Sequence, residues 1–279
     1  MHKQVIPHMD LGHIAASGQC FRMNALPSGA YQVIAGDRQV TITPEGRDTF
    51  LFDCGKDIFD SLWHPYFDIG TDYASLASLV PKEDHFLQAS LAYARGLRIL
   101  RQDPWETLIS FILSQRKSIP AIKGCVENLC AGFGASLPEG AFAFPTPQAL
   151  ALADERALQA CGLGYRTRYV QGTARMVAEG QVDLEALRLL SDGELQEQLC
   201  RFPGVGVKVA QCVMLFAYAR FNAFPRDVWI LRVEQNEYHG RFPEENYPGT
   251  AGILQQYMFY FGKSKEYILW KEQHGQAGI

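Results

Sequence analysis

Residues 200–227, CRFPGVGVKVAQCVMLFAYARFNAFPRD, decide how this chain is read. A Pro-Gly-Val-Gly turn at 203–206 joins one helical run to a second, more apolar one. Gly204 and Gly206 permit a tight turn and a close backbone approach to a ligand. The amides that open the second helix carry partial positive charge, which suits a phosphate. Lys208 lies in the first turn of that helix, where a cation is disfavoured and the free, nucleophilic amine is favoured. Asp227 precedes the apolar run Val228-Trp229-Ile230-Leu231, so it can cap a new helix. A carboxylate returned across a helical hairpin toward a lysine can activate it or stabilise a cationic sugar. Taken singly, a surface lysine and a structural cap are the plainer readings. Together, beside a phosphate-gripping turn, they point to chemistry.

Outward from this stretch, composition sets broad bounds. The 279 residues are 47% hydrophobic and 20% charged, as in an ordinary globular chain. No apolar stretch is long enough to span a membrane, and MHKQVIPHMD has no signal-like apolar core, so a cytoplasmic location is expected. Seven scattered cysteines with no CxxC pair fit reduced thiols and argue against zinc or an iron–sulfur cluster. The net charge of −4 is unusual for a nucleic-acid binder but does not exclude one, because the distribution of charge matters more than its sum. Basic residues gather at Arg116, Lys117, Lys123, Arg166, Arg168 and Lys208.

The pattern predicts an α+β chain. Residues 1–85 read as a β-rich N-terminal domain, a small antiparallel sheet. In it, 31–36 and 38–43 form a hairpin through Gly36-Asp37, and 49–52 a further strand. Residues 86–279 read as a helical body, with the hairpin motif at about 192–228. Asp103-Pro104-Trp105-Glu106 and Ser191-Asp192-Gly193-Glu194 are capping boxes. Residues 249–261 predict an amphipathic helix.

FPGVGVKVA followed by FPRD resembles the helix-hairpin-helix (HhH-GPD) DNA glycosylase superfamily, and a lysine in the hairpin helix marks its bifunctional glycosylase/lyase members. Further matches resemble the 8-oxoguanine DNA glycosylase family, in its clostridial-type bacterial form. SGQCFRM at 17–23 is similar to the segment whose glycine carbonyl reads the protonated N7 of 8-oxoguanine, which assigns that role to Gly18. Met23 departs from the family's Trp there. GLGYRTRY at 162–169 is similar to the segment that supplies an aromatic wedge, here Tyr165, and a strand-supporting arginine, Arg166. Gln255 matches the glutamine that reads the base edge, and Phe259 the aromatic that stacks on it. Cys212 matches the cysteine on the other face, and lies one helical turn beyond Lys208. Arg116 stands where the family places a cytosine-contacting Asn, and Ala121 where eukaryotic members carry a second cytosine-reading Arg. Both departures imply a relaxed preference for the opposite base. Trp229 replaces a histidine near the flipped nucleotide's phosphate.

The resemblance implies a monomer that kinks DNA and flips 8-oxoguanine into a pocket between sheet and helices. Lys208 is the Schiff-base nucleophile and Asp227 its partner. The carbonyls of Cys200, Phe202 and Val205 are implied to hold a monovalent cation, K+ or Na+, beside a DNA phosphate. No other cofactor is expected. Two alternatives stand beside this reading. An alkyl-base glycosylase of the same superfamily usually lacks the lysine. A non-catalytic hairpin module would need neither Lys208 nor Asp227.

Overall fold

The computed structural model describes residues 1–274. It is an α+β fold. Five strands, β1 (His2–Val5), β2 (Met23–Ala25), β3 (Tyr31–Ala35), β4 (Arg38–Pro44) and β5 (Thr49–Phe52), pair antiparallel in the order β1-β5-β4-β3-β2. Gly36-Asp37 closes the β3–β4 hairpin, with Ala35 opposite Arg38 and Gly36 at φ +59°, the positive φ that a two-residue hairpin turn asks of glycine. Val33, Val40, Ile42, Phe50 and Phe52 turn inward.

β-structure stops earlier than the sequence pattern suggests. After Phe52 the chain makes helical turns over residues 56–79, because Phe59, Trp63 and Phe67 recur at helical spacing and are buried under the sheet.

The body holds α1 (Leu11–Ala16), which precedes β2 in the chain, then α2 (His85–Tyr93), α3 (Pro104–Ser114), α4 (Ile119–Phe133), α5 (Thr167–Ala178), α6 (Asp192–Cys200), α7 (Val207–Ala217), α8 (Val228–Glu237) and α9 (Ala251–Gly262). Ser191 makes the expected reciprocal capping box with Glu194. At α3 only half of one forms. Asp103 accepts from Glu106 N at 2.8 Å, but the Glu106 carboxylate accepts from Gly36 N at 3.3 Å, tying the helix to the β3–β4 turn.

One continuous core runs from the sheet (Met23, Val40, Phe52) through α3 and α4 to α7 (Ala210, Val213). A second is built by α2, α8 and α9 around Phe86, Phe224, Ile230, Phe242 and Met258. Helix α9 belongs to both: Ile253 and Tyr257 face the first, Leu254, Met258 and Phe261 the second. It is therefore buried on nearly every side, not amphipathic as its sequence predicts. Gln255, Phe259 and Lys263 share the remaining stripe, at i, i+4 and i+8.

Candidate active site

The hairpin is built as its residues require. Gly204 has φ +76°, and a Cβ there would lie 2.5 Å from the Tyr169 ring, so only glycine fits. Gly206 is the N-cap of α7. It has no side-chain cap and nothing within 4 Å of an added Cβ, which leaves the first amides of α7 open to an anion. Just before the turn, α6 ends. Among the described residues the Cys200 and Val205 carbonyls accept no hydrogen bond, and Phe202 O accepts one, from Val205 N at 3.0 Å. Spare carbonyls at a helix C-terminus are a donor set that fits a hard monovalent cation.

Lys208 is half-buried one residue into α7, with Nζ 5.7 Å from the centre of the Phe111 ring. Burial pushes the thiol of Cys212 up; Lys208 pulls it the other way and Asp227 adds to the rise, so both charges act on the same sulfur. Asp227 caps α8 through one oxygen, Oδ1, which accepts from Trp229 N at 3.0 Å and Ile230 N at 2.9 Å, and Oδ2 takes no part in the cap. The loop before it is clamped. Arg226 Nε donates to both oxygens of buried Glu234 at 3.0 and 3.1 Å, and Glu234 also accepts from Phe242 N.

Gln255 is 4% exposed. Its Nε2 donates to Pro225 O at 2.9 Å, two residues before Asp227, while its Oε1 is buried without a partner. Such an orphaned acceptor is costly unless a ligand supplies a donor. Gly18 has φ +77°, and a Cβ on it would lie 2.8 Å from Ile119 Cδ1 and 3.6 Å from Phe259 Cε1. The expected recognition residues therefore converge from four places: the turn after α1, α7, the cap of α8, and α9.

Arg116, Tyr165 and Arg166, expected to face DNA, form a rim tied to the hairpin turn. Arg116 is exposed in the left-handed region (φ +52°), where non-glycine residues are uncommon. Tyr165 is 49% exposed and its ring packs over the guanidinium of Arg166 at 4.3 Å. Arg166 itself is buried. It donates to Leu163 O and to Gln115 O, so it braces the rim from beneath. Gln115 Nε2 in turn donates to Gly204 O at 3.0 Å, and Lys117 Nζ to Gly162 O at 2.7 Å. Three loops are thus tied into one surface. Trp229 is half-buried beneath Arg232, whose guanidinium sits 4.8 Å from its ring.

Sequence reasoning missed Gln115, Glu234, Gln256 and Lys263. Lys263 had a signal: it is the first charge after the uncharged helix α9, one turn beyond Phe259. Its Nζ donates to Ala16 O at 3.0 Å and lies 4.8 Å from the Phe259 ring centre. Burial lowers its pKa to about 8, and Asp227 opposes that fall.

Comparison with known proteins gives a consistent picture. Residues 5–108 match the 8-oxoguanine DNA glycosylase N-terminal domain, and residues 109–240 match the HhH-GPD superfamily base excision DNA repair protein. A probable N-glycosylase/DNA lyase of Methanothermobacter thermautotrophicus is 30% identical over 225 residues, covering 69% of this chain and 70% of the relative. The 8-oxoguanine glycosylase/lyase of Clostridium acetobutylicum, solved with double-stranded DNA containing cytosine opposite 8-oxoG, superposes with a TM-score of 0.85 at 32% identity, covering 96% of this chain and 93% of that one. MBOgg1, solved with a low-affinity DNA ligand, gives 0.88 at 35% identity, over 94% and 99%.

Proposed function

This chain belongs to the 8-oxoguanine DNA glycosylase/lyase family of the helix-hairpin-helix superfamily, and on that footing we propose that it excises 8-oxoguanine from duplex DNA and nicks the strand through a lysine Schiff base. One observation carries the reading: Lys208 stands in the first turn of α7, whose opening amides are left free by the Gly206 N-cap, while Asp227 caps α8 through Oδ1 alone and keeps Oδ2 out of the cap. The orphaned Oε1 of Gln255 supports the choice of base, because the Watson–Crick edge of 8-oxoguanine offers N–H donors.

The duplex kinks over the rim, Tyr165 wedges at the opposite base, and the damaged nucleotide swings out between Cys212 and Phe259. The turn amides of α7 grip a backbone phosphate, with a monovalent cation on the Cys200, Phe202 and Val205 carbonyls beside it. Lys208, as the free amine, attacks C1′. The C1′–N9 bond breaks, and the base leaves with the bonding electrons and takes up a proton. The Asp227 carboxylate stabilises the positive charge that builds on the sugar. Ring opening converts the C1′ adduct to an iminium. Loss of a C2′ proton then expels the 3′ phosphate, which is β-elimination. Guanine lacks the N7–H of the lesion, so the Gly18 carbonyl would repel it and accept from 8-oxoguanine. The exposed Arg116 and the small Ala121 support a relaxed preference for the opposite base, and the chain acts as a monomer.

Incubation with a duplex carrying one 8-oxoguanine, in the presence of borohydride, tests this, with A, C, G or T opposite in turn. A covalent complex across the series is expected. Clean base release with no trapped complex would overturn the lysine mechanism, and trapping only opposite C would overturn the relaxed preference.

A further inference from the structure

The turn that presents Gly18 is held in an unusual way. Ala16 O accepts from Lys263 Nζ at 3.0 Å, Ser17 O from Gln256 Nε2 at 2.8 Å, and Gln19 O from Gln102 Nε2 at 2.8 Å. Gln19 is fully buried, and its side chain donates to Ser17 Oγ and Arg98 O and accepts from Leu100 N. Each carbonyl flanking Gly18 is therefore fixed by a side chain from a distant part of the chain. Among the described residues the Gly18 carbonyl alone in this run accepts nothing. Two of the three clamps come from α9 and its C-cap, the element that also carries Gln255 and Phe259.

We propose that Lys263 and Gln256 are positioning residues for base recognition, which lock the 16–18 turn to α9 and so fix the Gly18 carbonyl against Phe259 at the spacing one flipped base requires. This rests on the reading of Gly18, Gln255 and Phe259 given above and extends it to residues that touch no substrate. The physical reason is the steepness of the discrimination. A single carbonyl separates 8-oxoguanine from guanine only if it cannot retreat, because a hydrogen bond weakens rapidly with distance and angle, as does the repulsion that replaces it. Gln256 is 3% exposed, so its donor has few alternatives to Ser17 O. Lys263 works on both walls at once, with one N–H on Ala16 O and its cationic head 4.8 Å from the Phe259 ring centre. Its lowered pKa, about 8, fits an ammonium enclosed by these groups.

Abasic-site incision provides the control, since it needs Lys208 and Asp227 but no base in the pocket. The deciding variant is Gln256→Leu, which removes the donor to Ser17 O and no charge. Lys263→Met, which keeps the apolar stem beside Phe259 and removes the donor and a charge that also acts on Asp227, is measured alongside it. Single-turnover excision of 8-oxoguanine should fall about tenfold or more in each. In Gln256→Leu, incision of a preformed abasic site should stay within about threefold of the parent, and binding to 8-oxoguanine DNA should approach that to plain duplex. Unchanged excision, or equal losses on both substrates, in Gln256→Leu would overturn the proposal. A parent enzyme inactive on 8-oxoguanine would overturn the underlying reading instead, which is visible before any variant is compared.

Discussion

Lys208 is the residue on which the chemistry turns, and its replacement separates binding from catalysis. Lys208→Gln retains the turn, the helix and a polar end beside Cys212, so affinity for lesion DNA should change little. Excision should fall about a thousandfold or more, and borohydride should trap nothing. Substantial trapping in this variant would mean that another amine attacks. Gln255→Ala removes the orphaned acceptor and Phe259→Ala the stacking face, so each should weaken lesion binding about tenfold while leaving plain duplex binding intact. Equal losses on both DNAs would mean these side chains only support α9. Lys208 and Asp227 stood out in the sequence through the turn and the cap beside them, and Gln255 and Phe259 only through their resemblance to a family segment. Gln256 and Lys263 were not, because what defines them is a bond to a carbonyl 239 or 247 positions away. A buried glutamine looks the same in sequence whether it meets water, a ligand or a distant backbone.

The hairpin between α6 and α7 shows the same division. Its turn follows from Pro-Gly-Val-Gly, and the capping box at Ser191 from its spacing, because both devices are local. What lies under the turn is tertiary: the Tyr169 ring fills the space where a Gly204 Cβ would be, and Gln115 holds the Gly204 carbonyl. Gly204→Ala should therefore cost about 3 kcal/mol of stability from positive-φ strain and overlap together. Because the turn also carries the phosphate-facing amides, DNA affinity should fall with it. Gly206→Ala, at φ −101° with open space around it, makes the contrast. It should fold like the parent and lose affinity only where a methyl obstructs the phosphate. Chemical denaturation and DNA titration of the two variants check both outcomes, and similar stabilities would refute the packing argument. The stretch after Phe52 marks the opposite limit. Its aromatics are apolar enough for either strand or helix, and only their burial under the sheet settles the period.

Sheet and body are joined across a buried polar seam, and this seam contributes to the pH dependence of the fold. Arg22 is fully buried, with Nε 3.8 Å from Glu127, and it donates to Phe142 O. Beside it Glu106 reaches Gly36 N, and burial raises its carboxyl from 4.5 to about 7, with Arg22 opposing. Burial raises Asp103 as well. Between these values the folded chain holds a proton on Glu106 that the unfolded chain has released. Stability from this group is therefore full below about pH 4.5 and is lost as pH rises through about 7, a change of about 3 kcal/mol. Lys263 contributes in the other direction. Its amine is lowered from 10.5 to about 8, so its contribution is full above 10.5 and is lost as pH falls through about 8. Urea denaturation of the parent should thus show stability falling between about pH 5 and pH 8. Glu106→Gln keeps an acceptor for Gly36 N and has no proton to lose, so it should flatten that limb. A parent whose stability increases through the same range, or a variant with an unchanged slope, would show that Glu106 is ionised in the fold and paired with Arg22. The seam would then hold the sheet to the body as an ion pair, in place of the neutral acid described here.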